Sequence, residues 1–248
     1  MKRLTGLIVL AIASLYCGAQ VDTINTRTLK LNTAAFQAGT SSYAVYFEDS
    51  VGNRTSSADI WDRTIQFSTT SEGQKTYRFS WKWYRKDSLL ANVSATGLLP
   101  SFQPLTHDAE YNGGRMISFV FNDNIVTIPE AKRRTARDSA FRVVMDPAAF
   151  EFPMDLELFA LLPFKKTGQQ FAMAFYEPGR PDAKYYPLTV TGKEDLPLPG
   201  GQKVACWLLR IDYAPGSFAI FWISDKTREV LKMQEILKGV LRYKVKLY

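Results

Sequence analysis

The C-terminal run 185–248 constrains the fold most, because its apolar residues follow the period of β-strands. Near its end, apolar residues at 241, 243 and 245 alternate with basic ones, which predicts one buried face and a basic outer face of Arg242, Lys244 and Lys246. Turn sequences such as Ala214-Pro215-Gly216 separate the strands. We predict a meander of four antiparallel strands, or five if Lys238-Gly239 divides the last: Tyr185–Thr191, Val204–Tyr213, Ser217–Ile223 and Val230–Tyr248.

The first half of the chain also carries strand signals, and one of its stretches is unusually aromatic. Thr76–Arg85 places Tyr77, Phe79, Trp81 and Trp83 on one face, and four such side chains bury a large apolar area. Further strands are predicted at Thr28–Leu31, Ser42–Glu48, Asp59–Ser68, Leu89–Thr96, Arg115–Phe121, Ile125–Ile128 and Gln169–Tyr176.

One short helix is predicted after Pro153, a residue that is tolerated in the first turn of a helix. Asp155 and Glu157 suit its N-terminus, and the apolar residues at 154, 158, 161 and 162 share a face up to Pro163. We expect this amphipathic helix to plug or cap a curved sheet.

The first 19 residues have the pattern of a secretory signal peptide. Lys2 and Arg3 precede an apolar run that is too short to span a bilayer, and small residues follow it. We predict cleavage after Ala19 and a periplasmic or secreted protein. Lipid anchoring at Cys17 is less favoured, because Tyr16 stands where a small residue is needed.

The residues 20–248 that remain are predicted to form a single β-rich domain. Its one cysteine, Cys206, rules out an intrachain disulfide framework and is expected to be a small core residue. The formal net charge of the whole chain is +7, and its densest basic group, at 132–134, 137 and 142, favours a solvated face. No nucleic-acid-binding module is recognisable, so we expect no nucleic-acid partner.

Catalytic and metal-binding patterns are scarce in this sequence. The single histidine, His107, cannot supply a usual metal site and is expected in a loop, bonded to backbone. No nucleophile elbow, phosphate loop or dinucleotide fingerprint is present. The carboxylate pairs 155/157 and 194/195 are better explained by helix and turn positions, although an enzyme that uses carboxylates stays open. We therefore assign no catalytic residue, metal or cofactor and favour a protein that is not an enzyme.

Aromatic residues on strands without a polar face have two explanations. They form an ordinary core, or they line a concave sheet that holds an apolar ligand, since such sites are mostly hydrophobic. The candidate ligand-binding residues are Trp81, Trp83, Trp207 and Trp222.

Several short stretches resemble a family of uncharacterised exported proteins from Bacteroidetes and Proteobacteria. They are 101–105 with 111–112, 161–164 with Gly168, 190–194, and 221–224 with 230–232. The family is related in fold to the periplasmic lipoprotein carriers LolA and LolB. The resemblance implies an antiparallel sheet curled into a half-barrel around a helix, and it implies no catalytic residues.

These observations together predict a mainly β protein with a curved antiparallel sheet, a half-barrel or open barrel, and one or two short helices. The leading functional hypothesis is a cell-envelope protein that binds an apolar or lipid-like ligand. Two alternatives remain open. One is a structural or interaction module whose basic face docks on an envelope surface or protein partner, and the other is an envelope enzyme that uses carboxylates.

Overall fold

The computed structural model describes residues 21–237 and 239–248. The predicted signal peptide 1–19, its cleavage after Ala19 and the alternative lipidation of Cys17 therefore lie outside the described residues. The expected division of the last strand is confirmed, because one strand ends at Leu237 and the next begins at Val240. Within the described ranges the chain forms one sheet of sixteen strands. No helix in these ranges is long and apolar enough to cross a membrane.

The elements follow one another with short connections. The described residues form two short α-helices, α1 (Ala136–Ala140) and α2 (Asp155–Phe159), and 3-10 turns lie at Thr33–Ala35, Glu130–Lys132 and Phe152–Met154. The strands are β1 (Val21–Ile24), β2 (Gly39–Glu48), β3 (Asp59–Thr69), β4 (Lys75–Arg85), β5 (Ser88–Leu98), β6 (Pro104–Tyr111), β7 (Arg115–Asn122), β8 (Ile125–Thr127), β9 (Arg142–Val144), β10 (Phe150–Glu151), β11 (Gln170–Tyr176), β12 (Ala183–Pro197), β13 (Lys203–Ala214), β14 (Ser217–Ser224), β15 (Val230–Leu237) and β16 (Val240–Lys246).

Two antiparallel meanders make up the sheet. Strands β2 to β9 form one and β11 to β16 form the other, and they join where β16 pairs with β2. The short strands β1 and β10 add to β11 in parallel. Because β1 and β9 do not pair, the curved sheet is not closed into a barrel. This confirms the predicted mainly β fold and its C-terminal meander.

The concave face of the sheet holds the main core, and α2 lies inside it. Leu156, Leu158 and Phe159 of α2 are buried in the same cluster as residues from both meanders. The helix is shorter than predicted, because Leu161 and Leu162 donate backbone hydrogen bonds to carbonyls only three residues earlier. The prediction that this helix plugs the curved sheet is confirmed.

Three expectations were wrong in detail. The segment 28–31 is not a strand, and β1 forms earlier, at Val21–Ile24. His107 does not lie in a loop but in β6, where it is buried, since Glu151 provides a charged partner inside the protein. The basic outer face predicted for Arg242, Lys244 and Lys246 is also wrong, because all three side chains face the inside of the sheet. Lys244 is only 4% exposed and lies near Asp155, Arg242 pairs with the buried Glu235, and Lys246 pairs with Glu229.

Candidate functional site

A cavity of about 580 Å³ lies on the concave face at one end of the sheet. We call it the aromatic cavity. Its lining comes from β3 to β7, from the start of α2 and the turn before it, and from β12, β13, β15 and β16. Both meanders therefore contribute to one half-open cleft, and concave sites of this kind are the usual setting of ligand binding.

One side of this cavity is formed by three tryptophans, Trp61, Trp81 and Trp83, which we call the tryptophan wall. Trp61 lies opposite Trp83 in the β3–β4 register, and Trp81 follows two residues along on the same face. The Trp61 ring stacks on that of Trp83 with 5.0 Å between centroids, and the Trp81 ring meets Trp61 edge-on at 4.6 Å. Alternation along two paired strands thus builds the wall.

Phe152, Tyr186 and Tyr213 form a second aromatic group in the lining. The Phe152 ring lies 5.2 Å from that of Tyr186 and 6.2 Å from that of Tyr213. Burial raises the pKa of Tyr186 to about 12 and also raises the pKa of Tyr213, so both phenols stay neutral at physiological pH. This group offers flat apolar surface with only neutral polar atoms.

Four charged residues lie at the inner end of the aromatic cavity, and we call Arg63, Asp155, Glu157 and Lys244 the charge network. Of these, Asp155 and Lys244 line the cavity itself. The Arg63 guanidinium donates to both Glu157 carboxylate oxygens, at 2.9 and 2.5 Å, and to the Pro153 carbonyl at 2.6 Å. Asp155 lies 3.6 Å from Arg63 and 3.5 Å from the Lys244 ammonium. Burial lowers the pKa of Lys244 to about 8 despite the attraction of Asp155.

A second cavity of about 510 Å³ lies beyond the charge network. Along β3, Trp61 lines the aromatic cavity, whereas Arg63 and Ile65 line the second one. In the same way Asp155 borders the aromatic cavity and Glu157 borders the second. The charge network therefore lies between two cavities that follow one another along the strands.

Four hydrogen-bond donors in the lining of the aromatic cavity lack an acceptor among the described residues. They are the indole Nε1 atoms of Trp61, Trp81 and Trp83 and the Nε atom of Arg242. The Nη2 atom of Arg242 pairs with Glu235 at 2.6 Å. All four atoms are occluded within the protein, and Trp222, which lines neither cavity, has the same unpaired indole nitrogen.

The structure separates the four tryptophans that the sequence analysis singled out. Trp81 and Trp83 lie together in the lining of the aromatic cavity. Trp207 stacks on Phe164 at 5.6 Å between centroids, and its indole nitrogen donates to Asp225 at 2.7 Å. Trp222 belongs to another buried cluster, and neither it nor Trp207 lines either cavity. A binding role for these two residues stays a prediction.

Other reactive groups lie apart or are already paired. His107 lines the aromatic cavity and forms an ion pair with the buried Glu151. Burial would lower the pKa of His107, but the Glu151 carboxylate outweighs it and the pKa is raised. Burial raises the pKa of the Cys206 thiol to about 11. In the described part of the chain no three histidine, cysteine or acidic residues group as metal ligands.

Sequence reasoning missed Trp61 and the whole charge network. Trp61 shares the alternation of β3 with Ile65, so that pattern was available to place it on the inner face. The charged residues gave no such signal, since Arg63 and Glu157 are 94 positions apart in the chain and only the fold brings them together.

Comparison with known proteins gives a family and distant structural likenesses. The family profile described as "Protein of unknown function (DUF3108)" matches residues 42–246. No curated protein matches the chain.

Three solved structures are similar over most of their length. A beta-barrel-like protein of domain of unknown function DUF1849 from Brucella abortus has 10% identity and a TM-score of 0.45, covering 84% of this chain and 95% of its own. A candidate lipoprotein from Parabacteroides distasonis has 9% identity and a TM-score of 0.35, with coverages of 85% and 94%. A DUF1329 family protein from Desulfovibrio piger has 8% identity and a TM-score of 0.32, with 86% of each chain covered. These likenesses are too distant to bear on function.

Proposed function

Since this chain belongs to the DUF3108 family of proteins of unknown function, we propose its function from its geometry: it binds an apolar or lipid-like ligand in the aromatic cavity. The observation behind the proposal is the cavity of about 580 Å³ whose lining includes the tryptophan wall and the group formed by Phe152, Tyr186 and Tyr213. Flat aromatic surfaces in the lining suit an apolar body, and the neutral phenols add little cost of desolvation.

The volume sets the size of ligand that we propose. At about 30 Å³ for each non-hydrogen atom, the share of one molecule in liquid water, the cavity holds roughly 20 such atoms. That corresponds to one acyl chain rather than to a lipid with two chains. Trp81 and Trp83 are the proposed contact residues from the sequence analysis, and Trp61 joins them.

We further propose that the protein acts in the cell envelope after export, with a half-barrel related to LolA and LolB. The support is the signal-like segment 1–19. The intact mass of the protein made in a Gram-negative host tests this, because cleavage after Ala19 leaves Gln20 first. A mass that includes residues 1–19 would contradict export, and a lipid-modified mass beginning at Cys17 would show anchoring instead.

Ligand binding is tested by native mass spectrometry of the protein purified from the periplasm, followed by solvent extraction. We expect one lipid-like molecule bound to each protein molecule. Ile117→Trp narrows the cavity that Ile117 lines and should lower the occupancy at least tenfold, since tenfold corresponds to about 1.4 kcal/mol. Met116→Trp is the matched control, because Met116 is the next residue of β7 and is exposed.

The result that would overturn the proposal is equally definite. A folded protein that carries no molecule and takes up no single-chain amphiphile when these are added would leave the aromatic residues as packing alone. Equal occupancy in Ile117→Trp and Met116→Trp would place the ligand outside the aromatic cavity.

A further inference from the structure

We propose that the turns beside the mouth of the aromatic cavity dock on a phospholipid bilayer, so that the ligand passes directly between the membrane and the cavity. This inference rests on the proposed function and adds the place from which the ligand comes. It follows from exposed aliphatic side chains on two neighbouring turns, from the hydrogen bonds that hold one of these turns, and from cations at the mouth.

The mouth of the cavity lies where the β15–β16 hairpin turns. Leu237, the last residue of β15, lines the aromatic cavity and is nevertheless 46% exposed, so it lies at the opening. Val240, the first residue of β16, pairs with Leu237 across the hairpin and is also 46% exposed. Because paired residues of two strands project from the same face of the sheet, both aliphatic side chains lie on the concave side at this end.

A third aliphatic side chain lies on the neighbouring turn. Strand β16 pairs with β2 so that Leu241 lies opposite Glu48, which places the turn after β2 beside the hairpin. Val51 in that turn is 79% exposed. The Asp49 carboxylate accepts hydrogen bonds from the backbone N–H groups of Val51 and Asn53, at 3.0 and 2.8 Å. An ordered turn therefore holds Val51 in solvent.

The chemistry of these three tips favours a bilayer over a protein surface. Single exposed apolar side chains are common, but Val51, Leu237 and Val240 lie on adjacent turns at one opening. All three are aliphatic, whereas protein interfaces are enriched in aromatic residues, methionine and arginine. Aliphatic side chains that enter the hydrocarbon boundary of a bilayer leave water without needing a partner of matching shape. The hairpin and the turn after β2 therefore fit a membrane.

The charges at the mouth suit the phosphates of lipid head groups. Arg115 begins β7 and Lys184 is the second residue of β12, and both are exposed and line the cavity. The exposed Glu177 of the lining is already paired with Arg180 at 2.8 Å. Long basic side chains at a membrane surface hold their charge among the head groups while their stems cover apolar surface. The two cations therefore favour a bilayer that contains anionic lipids.

Flotation with vesicles tests the docking. Protein purified from the periplasm is mixed with vesicles of phosphatidylethanolamine and phosphatidylglycerol, and the bound fraction is measured over a range of lipid concentrations. The natural protein should float with the vesicles. The double variant Val51→Asp and Val240→Asp should need at least about tenfold more lipid for the same bound fraction. Neither position lines the aromatic cavity, so the ligand found by native mass spectrometry should be unchanged.

Leu247→Asp is the matched control for the double variant. Leu247 is 43% exposed and follows the opposite end of β16, so its variant should bind vesicles like the natural protein. A fluorophore then reports insertion of the turn. Beyond residues 1–19 the chain has one cysteine, the buried Cys206, so an environment-sensitive dye attached to Val51→Cys labels the turn alone. Its emission should shift to shorter wavelength on vesicles and be quenched by nitroxide-labelled acyl chains.

The outcomes distinguish this inference from the proposed function. If the natural protein does not float, or if the double variant floats as well as Leu247→Asp, the inference is overturned while a bound ligand still supports the proposed function. If the protein binds no amphiphile, the proposed function fails, and the inference fails with it because no ligand is left to pass. If the double variant does not fold, the dye at position 51 decides, and an emission that vesicles leave unchanged overturns the inference.

Discussion

At the scale of single residues, the buried charges distinguish this interior from an ordinary apolar core. Arg63 and Lys244 are 2% and 4% exposed, yet each contacts Asp155, which comes from α2. Ions inside a protein persist only where partners and hydrogen bonds offset the loss of water. Arg63 donates such bonds to Glu157 and Pro153, whereas Lys244 has a single carboxylate at 3.5 Å, so Lys244 is the less well compensated ion.

Lys244→Met should change how stability depends on pH. Burial lowers the pKa of Lys244 from 10.5 to about 8, so between these values the unfolded natural chain binds more protons than the folded one. The unfolding free energy of the natural protein, relative to Lys244→Met, should therefore rise from pH 8 to pH 10.5. At 1.36 kcal/mol per pKa unit the full rise is on the order of 3 kcal/mol.

Denaturant unfolding at a series of pH values measures this difference. Lys82→Met serves as the control, because Lys82 is exposed on β4. The difference in unfolding free energy between Lys82→Met and the natural protein should not change from pH 8 to pH 10.5. A flat or falling difference for Lys244→Met across the same range would mean that the ammonium is well compensated in the folded protein.

At the scale of elements, β4 and β5 fit closely against each other at Gly97. Gly97 lies directly opposite Tyr77 in their register, and a Cβ atom at Gly97 would come within 2.6 Å of the Tyr77 Cζ atom. Tyr77 is 1% exposed and cannot swing aside into solvent. The tyrosine ring therefore requires a residue without a side chain on the neighbouring strand.

Gly97→Ala should destabilise the protein by about 1–3 kcal/mol, the usual cost of overpacking a core. Gly192→Ala is the matched control, since its new methyl group would meet only Leu208 at 3.9 Å, and it should be neutral or slightly stabilising. Thermal or denaturant unfolding measures both. Equal stabilities for the two variants would contradict the close fit, and Tyr77→Leu should partly rescue Gly97→Ala.

The elements also show what the sequence could and could not predict. Strands with regular alternation, such as β4 and β16, were located because one of their faces is distinct in composition. Strand β6 was missed, because it begins at Pro104 and contains His107 and Asp108, which resemble a loop. Trp81 and Trp83 were placed on one face correctly. For β16, the side that faces the inside of the sheet could not be predicted, because Lys244 is held there by Asp155, a residue from a distant element.

At the scale of the whole molecule, the open sheet is held in its curved shape by side chains. The edge strands β1 and β9 form no ladder with each other, and a buried cluster joins β7 to β9 with β11 and β12 instead, through Phe121, Val143, Ala174, Tyr176 and their neighbours. His107 on β6 and Glu151 on β10 add an ion pair across the same gap between the meanders. One buried titratable contact thus links the two halves of the sheet.

His107→Gln should reveal this contact through its pH dependence. Burial acts to lower the pKa of His107, but Glu151 raises it above the ordinary value of 6.5. The pair therefore stabilises the fold fully below pH 6.5, and its contribution is lost as the pH rises through the folded pKa. The advantage of the natural protein over His107→Gln should fall with rising pH, which denaturant unfolding from about pH 6 to about pH 9 measures.

His107 and Lys244, the two buried groups whose titration is predicted above, have opposite effects on stability as the pH rises, and the variants separate them. His107 loses its contribution as the pH rises, whereas the burden of Lys244 is relieved as the pH rises above 8. The unfolding free energy of His107→Gln should therefore still show the rise above pH 8 that Lys244 causes. That of Lys244→Met should still show the fall at lower pH that His107 causes. In a His107→Gln and Glu151→Gln double variant the fall should be absent. A fall that persists there would place the titrating group elsewhere and leave the gap between the meanders held by apolar packing alone.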